Sequence, residues 1–436
     1  MFVIQKANSI ISQLLAGITR KNVGSILGRY CLCEKVPDGV LLYHQVTGEL
    51  CLVAYDFMES NDMRQHLQKH LFLVPKEFDE KKLVDELRTL LRMLSKKQSQ
   101  QRTYTILPTL ACNARCFYCF EAGSPPIYMS TTTAIDVARY ILDTSHGVEA
   151  KLRWFGGEPM LGADRIELIC QTISDKLPYQ SEMISNGLLF NEHWIERALN
   201  SWHLKTIQIT LDGTEDVYNR VKNYRDYEGN AFRRVIDNIH ALLNVGIKVI
   251  VPLNLGEHNK DDLVLLGSYL KDEFSNNDLL DIAINPLFNT TYYKEHGNEY
   301  RSRERAYQLR KEFSNYSEYS ILPNHLKINS CFADQDLACV INPLGDLCIC
   351  GTHYIGDVVY GSIYSTKIDE AKLAGMRKRR TGDCDNCKIY PQCYRLQQCK
   401  QDKGITCSTM ATEMEQNLRL AMLMKYRQYL SKPYKN

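Results

Sequence analysis

The sequence predicts an α/β protein: a partial (β/α)6, TIM-like barrel, with a small winged-helix-like module before it and a cysteine-rich segment after it. Three observations lead there. Between residues 104 and about 290, short apolar runs alternate with amphipathic stretches, the pattern of parallel strands joined by right-handed helical crossovers. A polar run, Ser95-Lys96-Lys97-Gln98-Ser99-Gln100-Gln101, sets that region apart from residues 1–100 and reads as a linker. Residues 326–415 are rich in cysteine and punctuated by Gly and Pro.

Each element follows in order. Val40-Leu41-Leu42-Tyr43 and Leu50-Cys51-Leu52-Val53 read as strands joined through Thr47-Gly48-Glu49, a hairpin signal. Leu83, Val84, Leu87, Leu90, Leu91 and Leu94 recur at helical spacing,. The strand candidates of the barrel are Tyr104–Pro108, Leu152–Phe155, Glu182–Ser185, Thr206–Leu211, Ile247–Leu253 and Asp281–Asn285. One helix between them carries Ile135, Ala138, Ile141 and Leu142; another carries Phe232, Val235, Ile236, Ile239, Leu242 and Leu243. Six units are too few for a closed eight-stranded barrel, so a curved, open one is expected. The tail, roughly 411–430, reads as a final helix. The expected domains are 1–100, 101–325, 326–415 and a C-terminal helix over 416–436.

Composition narrows the class. A chain of 436 residues exceeds a single core, and 44% hydrophobic with 24% charged residues is the balance of a globular protein,. A net charge of +2 gives no broad nucleic-acid footprint,. No apolar run approaches the roughly 18 residues of a membrane span. The N-terminal stretch lacks a signal-peptide layout, so a cytoplasmic location is expected. Ten of the sixteen cysteines fall in spacings that suit metal rather than disulfides,. Cys170 shares a helix face with Ile166, Ile169 and Ile173 and reads as core, as do Cys31, Cys33 and Cys51,. The histidines show no ligand spacing. Arg377-Lys378-Arg379-Arg380 reads as a charged helix end.

The chemistry concentrates at strand ends. Cys112, Cys116 and Cys119 form C-x3-C-x2-C just after the first strand, where open α/β barrels carry their active sites. Three thiolates suit a [4Fe–4S] cluster, because zinc usually takes four protein ligands. One iron then stays open to a small molecule. Gly156-Gly157-Glu158-Pro159 follows the second strand, with glycines that allow a close backbone approach,. Ser185-Asn186-Gly187 ends the third strand. Leu211-Asp212-Gly213 ends the fourth, and Arg220 lies seven residues after Gly213.

With these motifs the chain resembles the radical S-adenosylmethionine enzymes. The resemblance implies that S-adenosylmethionine binds the open iron and yields a 5′-deoxyadenosyl radical that abstracts hydrogen. Tyr118 matches the aromatic that precedes the last cysteine. Gly156, Gly157, Glu158 and Pro159 match the segment that holds the methionine amino group, with Glu158 as acceptor. Ser185 and Asn186 resemble a Thr-Asn-Gly motif, Asp212 belongs to the fourth strand end, and Arg220 is expected on the ligand carboxylate.

A second signature follows. Cys331 is followed by thirteen residues, Gly345, four residues and Cys350; then come Cys384, Cys387 and Cys393 as C-x2-C-x5-C, and Cys399 and Cys407. This resembles the SPASM domain of peptide-modifying radical enzymes, which implies two auxiliary [4Fe–4S] clusters. Cys331, Cys350 and Cys399 would ligate the first, and Cys384, Cys387, Cys393 and Cys407 the second. The fourth ligand of the first is Cys339, Cys348 or a substrate thiolate. The competing reading is a zinc ribbon on Cys384, Cys387, Cys393 and Cys399.

The resemblance implies a maturase that installs an oxidative cross-link (thioether, C–C or ether) in a ribosomally made precursor peptide. The N-terminal module would capture the peptide's leader by strand addition, and a flavodoxin or ferredoxin would supply electrons. Rival readings are an epimerase, a sulfatase-maturing enzyme and a non-catalytic metal-binding scaffold. The sulfatase-maturing relatives carry an aspartate directly after the cysteine matching Cys350, and here that residue is Gly351.

Overall fold

The computed structural model describes residues 2–16, 25–55, 61–98, 101–275, 277–287, 299–313, 322–328, 332–350, 358–378, 382–393, 396 and 406–431. Cys331, Cys399, Gly351, Arg379 and Arg380 lie outside the described residues.

The N-terminal hairpin is formed by β4 (Gly39–His44) and β5 (Glu49–Val53), paired antiparallel from Val40↔Val53 to His44↔Glu49. It sits in a four-stranded sheet with β3 (Cys31–Val36) beyond β4 and β1 (Phe2–Gln5) beyond β5. Gly48 turns the chain with φ of +73°, and a Cβ there would stand 2.3 Å from the Asn324 backbone. The module also holds α1 (Ser9–Ala16), α2 (Asn61–Lys69) and α3 (Glu80–Gln98), and β2 (Ser25–Leu27) pairs with β6 (Leu73–Pro75).

Helix α3 buries Leu83, Val84 and Leu87 against Ile11, Leu15 and Leu326, whereas Leu90 and Leu94 are exposed. It also runs on through Ser95 to Gln98. The expected linker is thus partly helix, since lysine and glutamine propagate one readily.

The six apolar runs of the barrel become six parallel strands: β7 (Thr103–Ile106), β8 (Ala150–Trp154), β9 (Tyr179–Ser185), β10 (Leu204–Ile209), β11 (Lys248–Leu255) and β12 (Leu280–Pro286), each beside the next. Strand β9 starts three residues before the expected Glu182. Its first residues alternate buried Tyr179 and Ser181 with exposed Gln180, a period of two that an apolar-run criterion passes over.

The crossovers contain α4 (Thr131–Ser145), α5 (Ala163–Ile173), α6 (Glu192–Asn200), α7 (Glu215–Lys222), α8 (Ala231–Asn244) and α9 (Asp262–Glu273). Ser130, Asn191 and Asn230 cap α4, α6 and α8 by accepting a backbone N–H, which satisfies groups the helix leaves orphaned. Trp154, Trp202 and Cys170 are fully buried in the core between helices and sheet.

The cysteine-rich segment contributes to the same sheet. Strand β13 (Ala338–Ile341) lies parallel to β7, with Cys339 opposite Tyr104, and β14 (Asp346–Cys348) and β15 (Val359–Ser362) extend it antiparallel. The sheet therefore numbers nine strands among the described residues. A closing helix, Cys407–Leu430, packs Leu418, Ala421, Met422 and Tyr426 on Leu32, Leu41, Tyr43 and Leu50 of the N-terminal sheet. Among the described residues no helix is long and apolar enough to cross a membrane.

Candidate functional site

The C-terminal ends of β7 to β11 converge on the loop that carries Cys112, Cys116 and Cys119. That loop is held at the backbone. The segment after β8 lies alongside its entry: Gly157 N donates to Thr109 O at 3.2 Å and Glu158 N to Ala111 O at 2.8 Å. A Cβ on Gly156 (φ +119°) would stand 2.3 Å from Thr109 O, and one on Gly157 2.3 Å from Ala111 O. The close approach these glycines permit is thus to the cysteine loop itself. Farther along, Arg115 N donates to Lys222 O at 2.7 Å, and Arg225 N to Asn113 O at 2.8 Å.

Glu158 is buried and acts as a clamp. Its Oε1 accepts from Met160 N at 3.0 Å and from Ser185 Oγ at 2.8 Å; its Oε2 accepts from Asn186 N at 2.7 Å. Burial pushes its carboxyl up, and these donors oppose the shift,. Pro159, also buried, opens the short turn that Glu158 caps. Asn186 Nδ2 donates to Asn113 Oδ1 at 2.7 Å, tying the end of β9 to the cysteine loop.

Asp212 lies at the end of β10 with no exposed surface. Its Oδ1 accepts from Tyr118 OH at 2.7 Å, and its Oδ2 is 2.9 Å from Lys222 Nζ. Asn259 Nδ2 donates to the Asp212 carbonyl at 2.7 Å. Arg220, in contrast, is exposed on α7. Burial disfavours protonation of His258, and the Arg220 charge adds to that effect. Sequence reasoning named Arg220 and missed Lys222, two residues later on the same helix. Only the fold reveals that Lys222 is the buried cation.

The three thiols line a cavity of about 870 Å³ with Asn113, Arg115, Leu188, Arg225 and Tyr227. Burial pushes all three up, Cys112 to about 12 and Cys119 to about 11. Without metal this site favours neutral thiols, so bound metal is what would make thiolates of them. Among the described residues, Glu49, His66 and His70 are the only trio whose ligand atoms lie mutually within 4.8 Å. Around the cavity that the triad lines, by contrast, no fourth cysteine stands among the lining residues, and three thiols on one short loop are the donor set of a [4Fe–4S] cluster with one open iron,. The residues present fit a [4Fe–4S] cluster.

Cys384, Cys387, Cys393 and Cys407 line one cavity of about 250 Å³ with Ile389, Tyr390 and Met410. Of the three cysteines expected on the first auxiliary cluster, Cys350 is described and partly buried. The two candidates for its fourth ligand lie on opposite faces of the sheet. Cys339 is in the core with Ile341 and Leu347; Cys348 is with Leu107, Leu110 and Val340. The histidines do reach ligand spacing, at His66 and His70, a pair the sequence reading passed over.

The sequence profile of the Radical SAM superfamily matches residues 106–268, which spans β7 to α9 and every strand end just described. Residues 106–268 are thus a radical SAM domain. Among curated proteins it is 27% identical over 161 residues to the sporulation killing factor maturation protein SkfB of Bacillus subtilis, covering 36% of this chain and 37% of that one. It is 27% identical over 170 residues to the GTP 3′,8-cyclase of Staphylococcus saprophyticus, covering 37% of this chain and 48% of that one. The chain thus spans less than half of either relative. Among solved structures, anSMEcpe with bound AdoMet aligns at a TM-score of 0.58 and 13% identity, over 76% of this chain and 100% of that one. This likeness shows the fold.

Proposed function

We propose that this protein is a cytoplasmic radical SAM peptide maturase that installs an oxidative cross-link in a ribosomally made precursor. The observation that carries the reading is the cysteine triad, held at the backbone by the ends of β8 and α7 and lining one cavity. Bound there, a [4Fe–4S] cluster and S-adenosylmethionine supply a hydrogen-abstracting 5′-deoxyadenosyl radical. Cys112, Cys116 and Cys119 would hold three irons. Glu158, Ser185 and Asn186 would fix the edge that receives the amino group, with Gly156, Gly157 and Pro159 shaping it. Asp212 and Tyr118 would position the far wall, and Arg220 would meet the carboxylate.

The relatives of this domain include a sporulation killing factor maturation protein and GTP 3′,8-cyclases, so the substrate class rests on the rest of the chain. Two features favour a peptide. Cys384, Cys387, Cys393 and Cys407 share a cavity suited to one auxiliary [4Fe–4S] cluster. Cys350 with Cys331 and Cys399 would serve a second. The N-terminal sheet offers β3 as an edge strand, where a leader peptide could add a strand. A flavodoxin or ferredoxin would deliver electrons.

The test is anaerobic incubation with S-adenosylmethionine and a low-potential reductant. The expected product is 5′-deoxyadenosine, abolished in Cys112→Ala. Iron-replete protein that makes none is a non-catalytic scaffold.

A further inference from the structure

The N-terminal module contains a group of ionisable side chains that no cysteine motif uses. His66 lies on α2 and His70 in the turn that closes it, with His70 N donating to His66 O at 3.0 Å. Four residues apart on helical backbone, the two side chains project from one face. Their rings stack with centroids 4.3 Å apart and planes within 10°. Both are aimed at Glu49, the first residue of β5. His66 Nε2 is 2.5 Å from Oε1, and His70 Nδ1 is 2.5 Å from Oε2.

Glu49 is a buried acid, 1% exposed, and a buried carboxylate must be matched by charge and by donors. The two imidazoles bring one ring nitrogen to each carboxylate oxygen. A divalent ion would supply the charge and use both ring nitrogens and the carboxylate together. Two His and one Glu are a three-ligand donor set that zinc takes with water in its fourth position. Donors bonded to zinc at about 2.0–2.1 Å in a tetrahedron stand roughly 3.3 Å apart. The three ligand atoms here all lie within 4.8 Å of one another, so small side-chain adjustments reach that spacing.

The surroundings are built to hold the set. Cys51 Sγ donates to Glu49 Oε1 at 3.1 Å, an outer contact of the kind that orients a ligating carboxylate. Met63 and Leu67 of α2 pack on Cys31, Leu42, Cys51 and Val53, which fixes the helix face that carries His66. With nine residues, α2 is too short to persist alone, so a tie to the sheet gives it an anchor.

We propose that Glu49, His66 and His70 form a zinc-type divalent metal site that fastens α2 to β5. It is independent of the iron–sulfur reading and stands or falls separately.

The experiment uses full-length protein, purified anaerobically, given one equivalent of zinc chloride and passed through a desalting column. The expected result is about one zinc per chain with nitrogen and oxygen neighbours in the zinc X-ray absorption spectrum. The double variant His66→Ala/His70→Ala should hold less than a tenth of that zinc at unchanged iron content. In wild type, a chelator should lower the unfolding temperature and added zinc should restore it. This arm needs no variant to fold. Zinc held only by sulfur, zinc retained in the double variant, or a wild type whose metal content and unfolding temperature ignore zinc would each overturn the site.

Discussion

Lys222 Nζ stands 2.9 Å from Asp212 Oδ2, and both side chains are buried. Burial works against the Lys222 ammonium, and the Asp212 and Tyr118 side chains outweigh it, so its pKa lies well above the usual lysine range. The same residue accepts Arg115 N of the cysteine loop on its carbonyl and donates to Thr210 Oγ1 at 2.7 Å. Lys222 thus joins α7, the end of β10 and the loop. Lys222→Met leaves a buried carboxylate unpaired and should cost about 3–5 kcal/mol. Adding Asp212→Asn should recover part of that loss, since the two sites are directly coupled. Urea unfolding of the two single variants and the double variant measures it.

Gly157→Ala drives a Cβ into the Ala111 carbonyl next to Cys112. Backbone cannot yield as a side-chain tip can, so the expected cost is about 1–3 kcal/mol. Iron should be lost from the triad while the C-terminal cysteines keep theirs. Gly375→Ala is the control, because a Cβ there meets nothing within 4 Å. Iron content and thermal unfolding of the two variants check the contrast.

Cys339 and Cys348 should behave differently because they face opposite ways. Cys348→Ala should lower iron content if it completes the first auxiliary cluster with Cys350. Cys339→Ala should leave iron unchanged and cost about 1 kcal/mol of packing. Iron analysis of the two variants decides between them.

Glu167 carries a pH signature remote from the cavity. Burial pushes its carboxyl up, but Arg197, Trp202 Nε1 at 2.7 Å and Ser201 Oγ at 3.1 Å more than reverse this, so its pKa is depressed. The stabilisation is then present above the ordinary carboxylate value of about 4.3 and fades as pH falls through the lower folded value. The unfolding temperatures of wild type and Glu167→Gln should differ at pH 7 and at pH 5, and converge only as the pH falls well below 4.

The six barrel strands were legible as short runs between helical stretches, and the first four end at a chemical motif, as Leu152–Phe155 does before Gly156-Gly157-Glu158. Strand β13 was not, since Ala338–Ile341 is four residues long and its partner β7 lies more than two hundred residues upstream; no local period reports such a pairing. Cys112, Cys116 and Cys119 could be read from spacing alone because the loop that holds them is continuous. Lys222 and the trio of Glu49, His66 and His70 could not, since burial and proximity decide their roles. His66 and His70 stand four apart in the sequence, but the acid they meet comes from β5.

The central claim is that the triad binds a [4Fe–4S] cluster distinct from those of the C-terminal cysteines. Anaerobic iron and sulfide content of wild type and the Cys112→Ala/Cys116→Ala/Cys119→Ala variant tests it most directly. The account predicts about twelve irons per chain, falling by about four in the variant. Little iron in wild type, with zinc on the cysteines instead, would contradict it.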